Sequence, residues 1–170
     1  MFLNCHTYHS LRYGVLSPEE LVKRAAALKL DVLVLTDVNS TSGVFDFVKA
    51  CGVAGITPLI GIEFREGGRL LYTGIARNFV GFGELNRFLS HHRLSETPLP
   101  VEAPPFSNAY VVYPFEGFVP QVLAYNVYVG IRHFQLNRLL TSPLSGQMHK
   151  LVVWQPVVFA SRAGFDVHRH

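Results

Sequence analysis

Along the first 65 residues, short continuous apolar runs alternate with stretches whose apolar positions recur at helical spacing. Residues 2–5 are a short apolar run that predicts a strand. Ser17-Pro18-Glu19-Glu20 then reads as a helix start: Ser17 can cap, Pro18 suits the first turn, and Glu20 closes a capping box. Leu21, Val22, Ala25 and Leu28 follow on one face, with Lys23, Arg24 and Lys29 on the other. Asp31-Val32-Leu33-Val34-Leu35-Thr36 is an almost continuous apolar run rich in β-branched residues, the pattern of a strand covered on both faces. Ser42 to Cys51 predicts a second helix with Val44, Phe45, Val48 and Cys51 inward. Ile56 to Phe64 predicts a third strand, with Pro58 near its start, where a lost donor matters least.

Arg69 to Ala76 continues as a strand joined through Glu66-Gly67-Gly68, and Phe82, Leu85, Phe88 and Leu89 mark another helix. Ser95 to Ser107 holds Pro98, Pro100, Pro104 and Pro105 and predicts an extended connector. Strand-like runs follow at Ala109 to Tyr113, Tyr128 to Ile131 and Lys150 to Trp154, with a helix at His133 to Leu140. Strand and helix in alternation point to an α/β layer or barrel of mostly parallel strands with helices outside. No internal repeat interrupts this order, and 170 residues suit one domain with a sizeable core. Phe165 to His170 carries neither a helix stop nor a closing strand, the expected look of a piece of a longer protein.

Composition narrows the classes. Hydrophobic residues at 49% and charged residues at 16% exclude a disordered chain. No apolar run reaches the roughly 18–20 residues of a membrane span. The opening residues also lack a basic segment followed by an apolar one and a cleavage site, so a cytoplasmic location and no membrane partner are expected. Cys5 and Cys51 cannot build a disulfide framework and suit a reducing compartment. The net charge of +3 is compatible with nucleic acid, yet the basic residues are dispersed and form no footprint. The 13 Phe and 7 Tyr serve either a core or a face that packs on further domains.

In an α/β layer, ligand-binding groups gather at the C-terminal ends of parallel strands. Three such ends carry suitable side chains: Asn4, His6 and His9 after the first strand, Asp37 after the second, and Glu63 on the third. Convergence of these five on one cavity would suit zinc, manganese or iron. Each also has a plainer role, since Asp37-Val38-Asn39-Ser40 makes a good turn and Glu63 could face solvent on an edge strand.

Residues 3–14, Leu3-Asn4-Cys5-His6-Thr7-Tyr8-His9-Ser10-Leu11-Arg12-Tyr13-Gly14, resemble the opening motif of PHP domains. Leu35-Thr36-Asp37 and Gly61-Ile62-Glu63-Phe64 resemble later motifs of that family, in order and at matching spacing. Leu16 to Val22 and Lys49-Ala50-Cys51 are similar to the branch found at the N-terminus of bacterial DNA polymerase III alpha-type (C-family) polymerases. The resemblance is nearly continuous over residues 2–65 and looser afterwards. It implies a distorted (β/α) barrel, incomplete in this chain, with residues 1–170 forming most or all of one PHP domain. It also implies a site of up to three metals, which in active members hydrolyses phosphoesters and in some polymerases proofreads in the 3′–5′ direction.

Against that pattern the ligand positions are depleted. The first His-x-His reads Asn4-Cys5-His6, and the Asp-His pair reads Asp37-Val38. The late Asp-x-His reads Pro156-Val157-Val158, while the helical histidine has no clean counterpart, His91 lying close to a register that favours Arg93. His6, Asp37 and Glu63 survive, so the expectation is no cofactor, or at most one zinc or manganese ion with His9 or His91 recruited. The resemblance then implies a non-catalytic scaffold whose partners are the remaining polymerase domains, a separate proofreading exonuclease subunit, and DNA through the parent chain. The alternative it leaves is a phosphoesterase or proofreading exonuclease with a reduced one-metal site.

Overall fold

The computed structural model describes residues 3–157. Among them, eight strands form one sheet in the order β7-β6-β5-β4-β3-β2-β1-β8. These are β1 (Asn4–Cys5), β2 (Val32–Leu35), β3 (Thr57–Glu66), β4 (Arg69–Ala76), β5 (Ala109–Pro114), β6 (Val127–Ile131), β7 (Leu151–Val153) and β8 (Pro156–Val157). The helices are α1 (Pro18–Ala27), α2 (Val44–Ala54), α3 (Phe79–Leu94) and the short α4 (Leu136–Leu140). All neighbouring strands are parallel except at β4, which runs antiparallel to both β3 and β5. The antiparallel strand follows from Gly67 and Gly68, whose φ values of 55° and 83° permit a tight hairpin. None of the described helices is long and apolar enough to cross a membrane.

The sheet curls strongly. β7 and β8 lie at its opposite edges, yet only Trp154 and Gln155 separate them in sequence. Three Cα steps reach no more than about 11 Å, so the two edges must approach each other and the chain passes from one to the other as a seam. Trp154 N–H donates to Ile131 at 2.9 Å on one side, and His6 N–H donates to Val157 at 2.9 Å on the other. Val34, Ile75, Val112 and Trp154, from β2, β4, β5 and the seam, meet in one buried cluster inside the curl. The α/β architecture of mostly parallel strands is therefore a curled half-barrel with its helices outside.

Two cores lie on the outer side. Cys5, Leu33 and Leu35 pack against Leu21, Val22 and Ala25 of α1 and Phe47 and Cys51 of α2. Ile62, Phe64, Leu71 and Tyr72 pack against Leu85 and Leu89 of α3. The Ser17 cap is observed, its hydroxyl accepting from Glu20 N–H at 3.1 Å.

The inward face expected of the second helix needs correction. Phe47 and Cys51 are buried with Val44 partly covered, whereas Phe45 is 80% and Val48 42% exposed. Two residues turn an α-helix by about 200°, so Phe45 and Phe47 cannot share a face, and the larger contact with β2 and β3 goes to Phe47. The expected helix over His133 to Leu140 begins as a 3₁₀ turn, His133–Gln135, before α4. β8 was not legible as a strand, because two residues carry no periodicity.

Candidate functional site

Every parallel strand ends on the same rim, and the polar residues expected there divide into two groups. The first is centred on Glu63, which is fully buried. Its Oε2 accepts from Asn4 Nδ2 at 3.0 Å and lies 3.2 Å from His6 Nε2; its Oε1 accepts from Arg65 Nε at 2.5 Å. Thr36 Oγ1 donates to Asn4 Oδ1 at 3.0 Å, which turns the amide nitrogen toward the carboxylate. These residues share the inner face because strand side chains alternate: Asn4 and His6 bracket inward positions of the first strand, and Glu63 and Arg65 do so on β3. Arg65 is held further by Gly68 O at 2.8 Å and by the Tyr13 ring, 4.3 Å from the guanidinium carbon. Burial alone would raise the Glu63 pKa; the hydrogen bond and charge of His6, then the Arg65 guanidinium, outweigh it and hold the carboxyl below its ordinary value.

The second group is centred on Asp37. Its Oδ1 accepts from Thr7 N–H at 2.7 Å and Ser10 Oγ at 2.6 Å, and its Oδ2 accepts from Thr7 Oγ1 at 2.7 Å. Ser10 Oγ in turn accepts from Val38 N–H at 2.9 Å. Asp37 thus ties the loop after β1 to the end of β2. His9 approaches the same place: a Cβ at Gly43 would lie 2.7 Å from His9 Cδ2 and 3.0 Å from Asp37 Oδ2.

Of the five side chains expected on one cavity, Asn4, His6 and Glu63 share one hydrogen-bond network, while Asp37 centres another with His9 close by. His91 lies exposed on the last turn of α3 and joins neither. Val38 forms a bridge with Glu63 through the backbone, and Pro156 pairs with Asn4 across β8 and β1. Both stand beside the site with side chains that offer no donor atom. Val158 lies outside the described residues. Among the described residues, no group of three or more His, Cys, Asp or Glu is arranged to hold a metal ion. His6 Nδ1 and His9 Nε2 are buried without hydrogen-bond partners.

Arg65, Thr36, Thr7 and Ser10 are the participants that sequence reasoning missed. Arg65 reads in the sequence as one of several dispersed basic residues. The available signal was its position two residues after Glu63 in a strand, which predicts a shared face.

The PHP domain family matches residues 3–118. A DNA polymerase III subunit alpha of Ureaplasma parvum is 33% identical over 88 residues, covering 52% of this chain and 9% of that protein. An error-prone DNA polymerase of Symbiobacterium thermophilum is 31% identical over 96 residues, covering 56% of this chain and 9% of that protein. The match thus spans less than a tenth of the length of these relatives. An amidohydrolase structure from Chromobacterium violaceum superposes with a TM-score of 0.45 at 28% identity, covering 56% of this chain and 34% of that one.

Proposed function

This chain belongs to the PHP domain family, and from that premise we propose that it is the PHP domain of a DNA polymerase III alpha-type polymerase, acting as a non-catalytic scaffold in replication. The observation that carries this reading is that both oxygens of Glu63 are already engaged by protein groups. Oε2 faces Asn4 and His6, and Oε1, the oxygen with a lone pair to spare, lies against the Arg65 guanidinium. A divalent ion would have to displace a guanidinium or sit against it at like charge. Asp37 is consumed in the same way by Thr7 and Ser10. The residues present do not fit a two- or three-metal centre.

What the networks do is mechanical. Glu63, Asn4, His6 and Arg65 cross-link β1 to β3 over β2, and Asp37 pins the loop that leads into α1. A rim held this way offers a rigid surface to the remaining polymerase domains, to a separate proofreading subunit, and through the parent chain to DNA. Polymerisation belongs to other parts of that parent, whose place is the cytoplasm.

One observation favours the competing one-metal phosphoesterase. The free Nε2 of His9 and Nδ1 of His6 are two unpaired ring nitrogens near carboxylates, the kind of donors that zinc or manganese would recruit. Metal analysis of the purified chain, grown with both ions and desalted without chelator, separates the readings. Metal near zero is the expected result. One equivalent that disappears in His6→Ala or Glu63→Ala would sink the scaffold reading and make nuclease activity the next assay.

A further inference from the structure

On the outer side of the fold, α2 turns an apolar stripe away from the sheet. Phe45, Val48, Lys49 and Gly52 follow at i, i+3, i+4 and i+7 and so share one face of the helix. Phe45 is 80% and Val48 42% exposed, and Lys49 and Gly52 are exposed beside them. Gly52 serves no purpose in α2 itself. It lies inside the helix without a left-handed φ, where glycine weakens the helix relative to alanine. Among the described residues, nothing comes within 4 Å of where its Cβ would sit. Bare backbone of this kind suits close approach by a bulky group from outside the chain. Asp46 and Lys49 stand on the flank that faces α1, and among the described residues neither has an opposite charge within ion-pair distance.

These features complement themselves. Let two copies of α2 lie antiparallel about a two-fold axis that passes between Val48 and Lys49. Phe45 and Gly52 are equally far from that axis, so each Phe45 falls opposite the partner's Gly52 and its ring fills the open space there. Val48 meets the aliphatic stem of the partner's Lys49. Equivalent flanks adjoin in such a pair, and the rise per residue brings Asp46 to within about 3 Å, measured along the helix, of the partner's Lys49. Two opposite-charge pairs therefore form, related by the axis. Glu19 and Lys23 on the same flank add one acid and one base, so the two copies do not repel there. We propose that this face of α2 is a homodimer contact, a second copy of the chain docking on Phe45, Val48 and Gly52 while Asp46 and Lys49 fix the antiparallel register. The stripe is one helix wide and smaller than the roughly 800 Å² per partner of a standard interface, which sets the dimer Kd on the order of 0.1 mM.

Sedimentation equilibrium of the 170-residue chain, over concentrations that bracket this Kd, tests the proposal. The weight-average mass should climb from that of the monomer toward twice that value. Phe45→Ser, at an exposed position, should leave circular dichroism unchanged and weaken the dimer roughly ten-fold or more. Asp46→Lys and Lys49→Asp each place like charges at both flanking pairs and should weaken it to a similar degree. Mixed in equal amounts, these two variants set a basic flank against an acidic one and should regain the dimer, which also shows that both are folded. A monomer at every concentration overturns the proposal. So does a dimer that Phe45→Ser and both charge reversals leave intact, since it would use another face. A mixture of the two charge variants that stays monomeric, with native circular dichroism for each, overturns it as well.

Discussion

Arg65 and Glu63 lie two residues apart on β3, and the Arg65 Nε donates to the buried Glu63 carboxylate at 2.5 Å. The ladder between β3 and β4 shifts register at this point, but the extra residue is Leu71 on β4, so β3 keeps its alternation and Glu63 and Arg65 stay on one face. A fully buried carboxylate is thereby neutralised from within its own strand.

Removing that cation should be costly. Arg65→Ala leaves the Glu63 charge without its guanidinium partner, and a loss of about 3 kcal/mol or more is expected in urea unfolding. Introduced into a Glu63→Gln background, the same substitution should cost much less, because no buried charge is then stranded. Equal losses in both backgrounds would show that Arg65 acts by packing alone.

Acid should act through the same carboxyl. Its folded pKa lies below the ordinary value, so its contribution is fully present above the unfolded glutamate value of about 4.3. That contribution is lost as pH falls through the folded value. The melting temperature should accordingly drop through this acidic window, and Glu63→Gln should flatten the drop. A variant whose acid profile matches the parent protein would place the sensitivity elsewhere.

Asp37 should behave as a loop anchor. Asp37→Ala deprives Thr7 N–H, Thr7 Oγ1 and Ser10 Oγ of their acceptor and should destabilise by about 2–4 kcal/mol. Asp37→Asn keeps one acceptor oxygen and should fall between the two. Hydrogen exchange of the Thr7 amide, slow in the parent protein, should speed up in both.

The two thiols should be inert in the folded chain. Burial, then the Asp37 charge, pushes Cys5 up to about 12, and burial pushes Cys51 up to about 11. An aromatic disulfide reagent at mildly alkaline pH should find neither in native protein and both Cys5 and Cys51 after unfolding. Rapid native reaction at Cys51 would mean that the α2 contact with the sheet opens readily.

Much of the frame was legible along the chain. The β-branched run at Val32–Leu35, the Ser17 cap, the Gly67-Gly68 turn and the spacing of Leu85 and Leu89 are local signals, and each element formed where its signal lies. The second helix was found but its face was misjudged, since Phe45 and Phe47 are equally apolar and only packing against the sheet distinguishes them. Asn4, His6, Asp37 and Glu63 were picked out at or near the ends of apolar runs, which can be counted from residue order, and the fold buries all four, Glu63 inside β3 and not at its end.

The partners of those side chains could not be counted in that way. The sequence by itself determined the α/β alternation, the motif order and the residue types at the strand ends, all set by neighbours within a few positions. Only the tertiary structure decided that Glu63 meets Asn4, 59 residues away, that Asp37 meets Thr7, 30 away, and that Trp154 closes the curl beside Arg132. The physical reason is that a buried charge is settled by whatever the curl of the sheet brings within about 3 Å, and that curl is a property of the whole sheet.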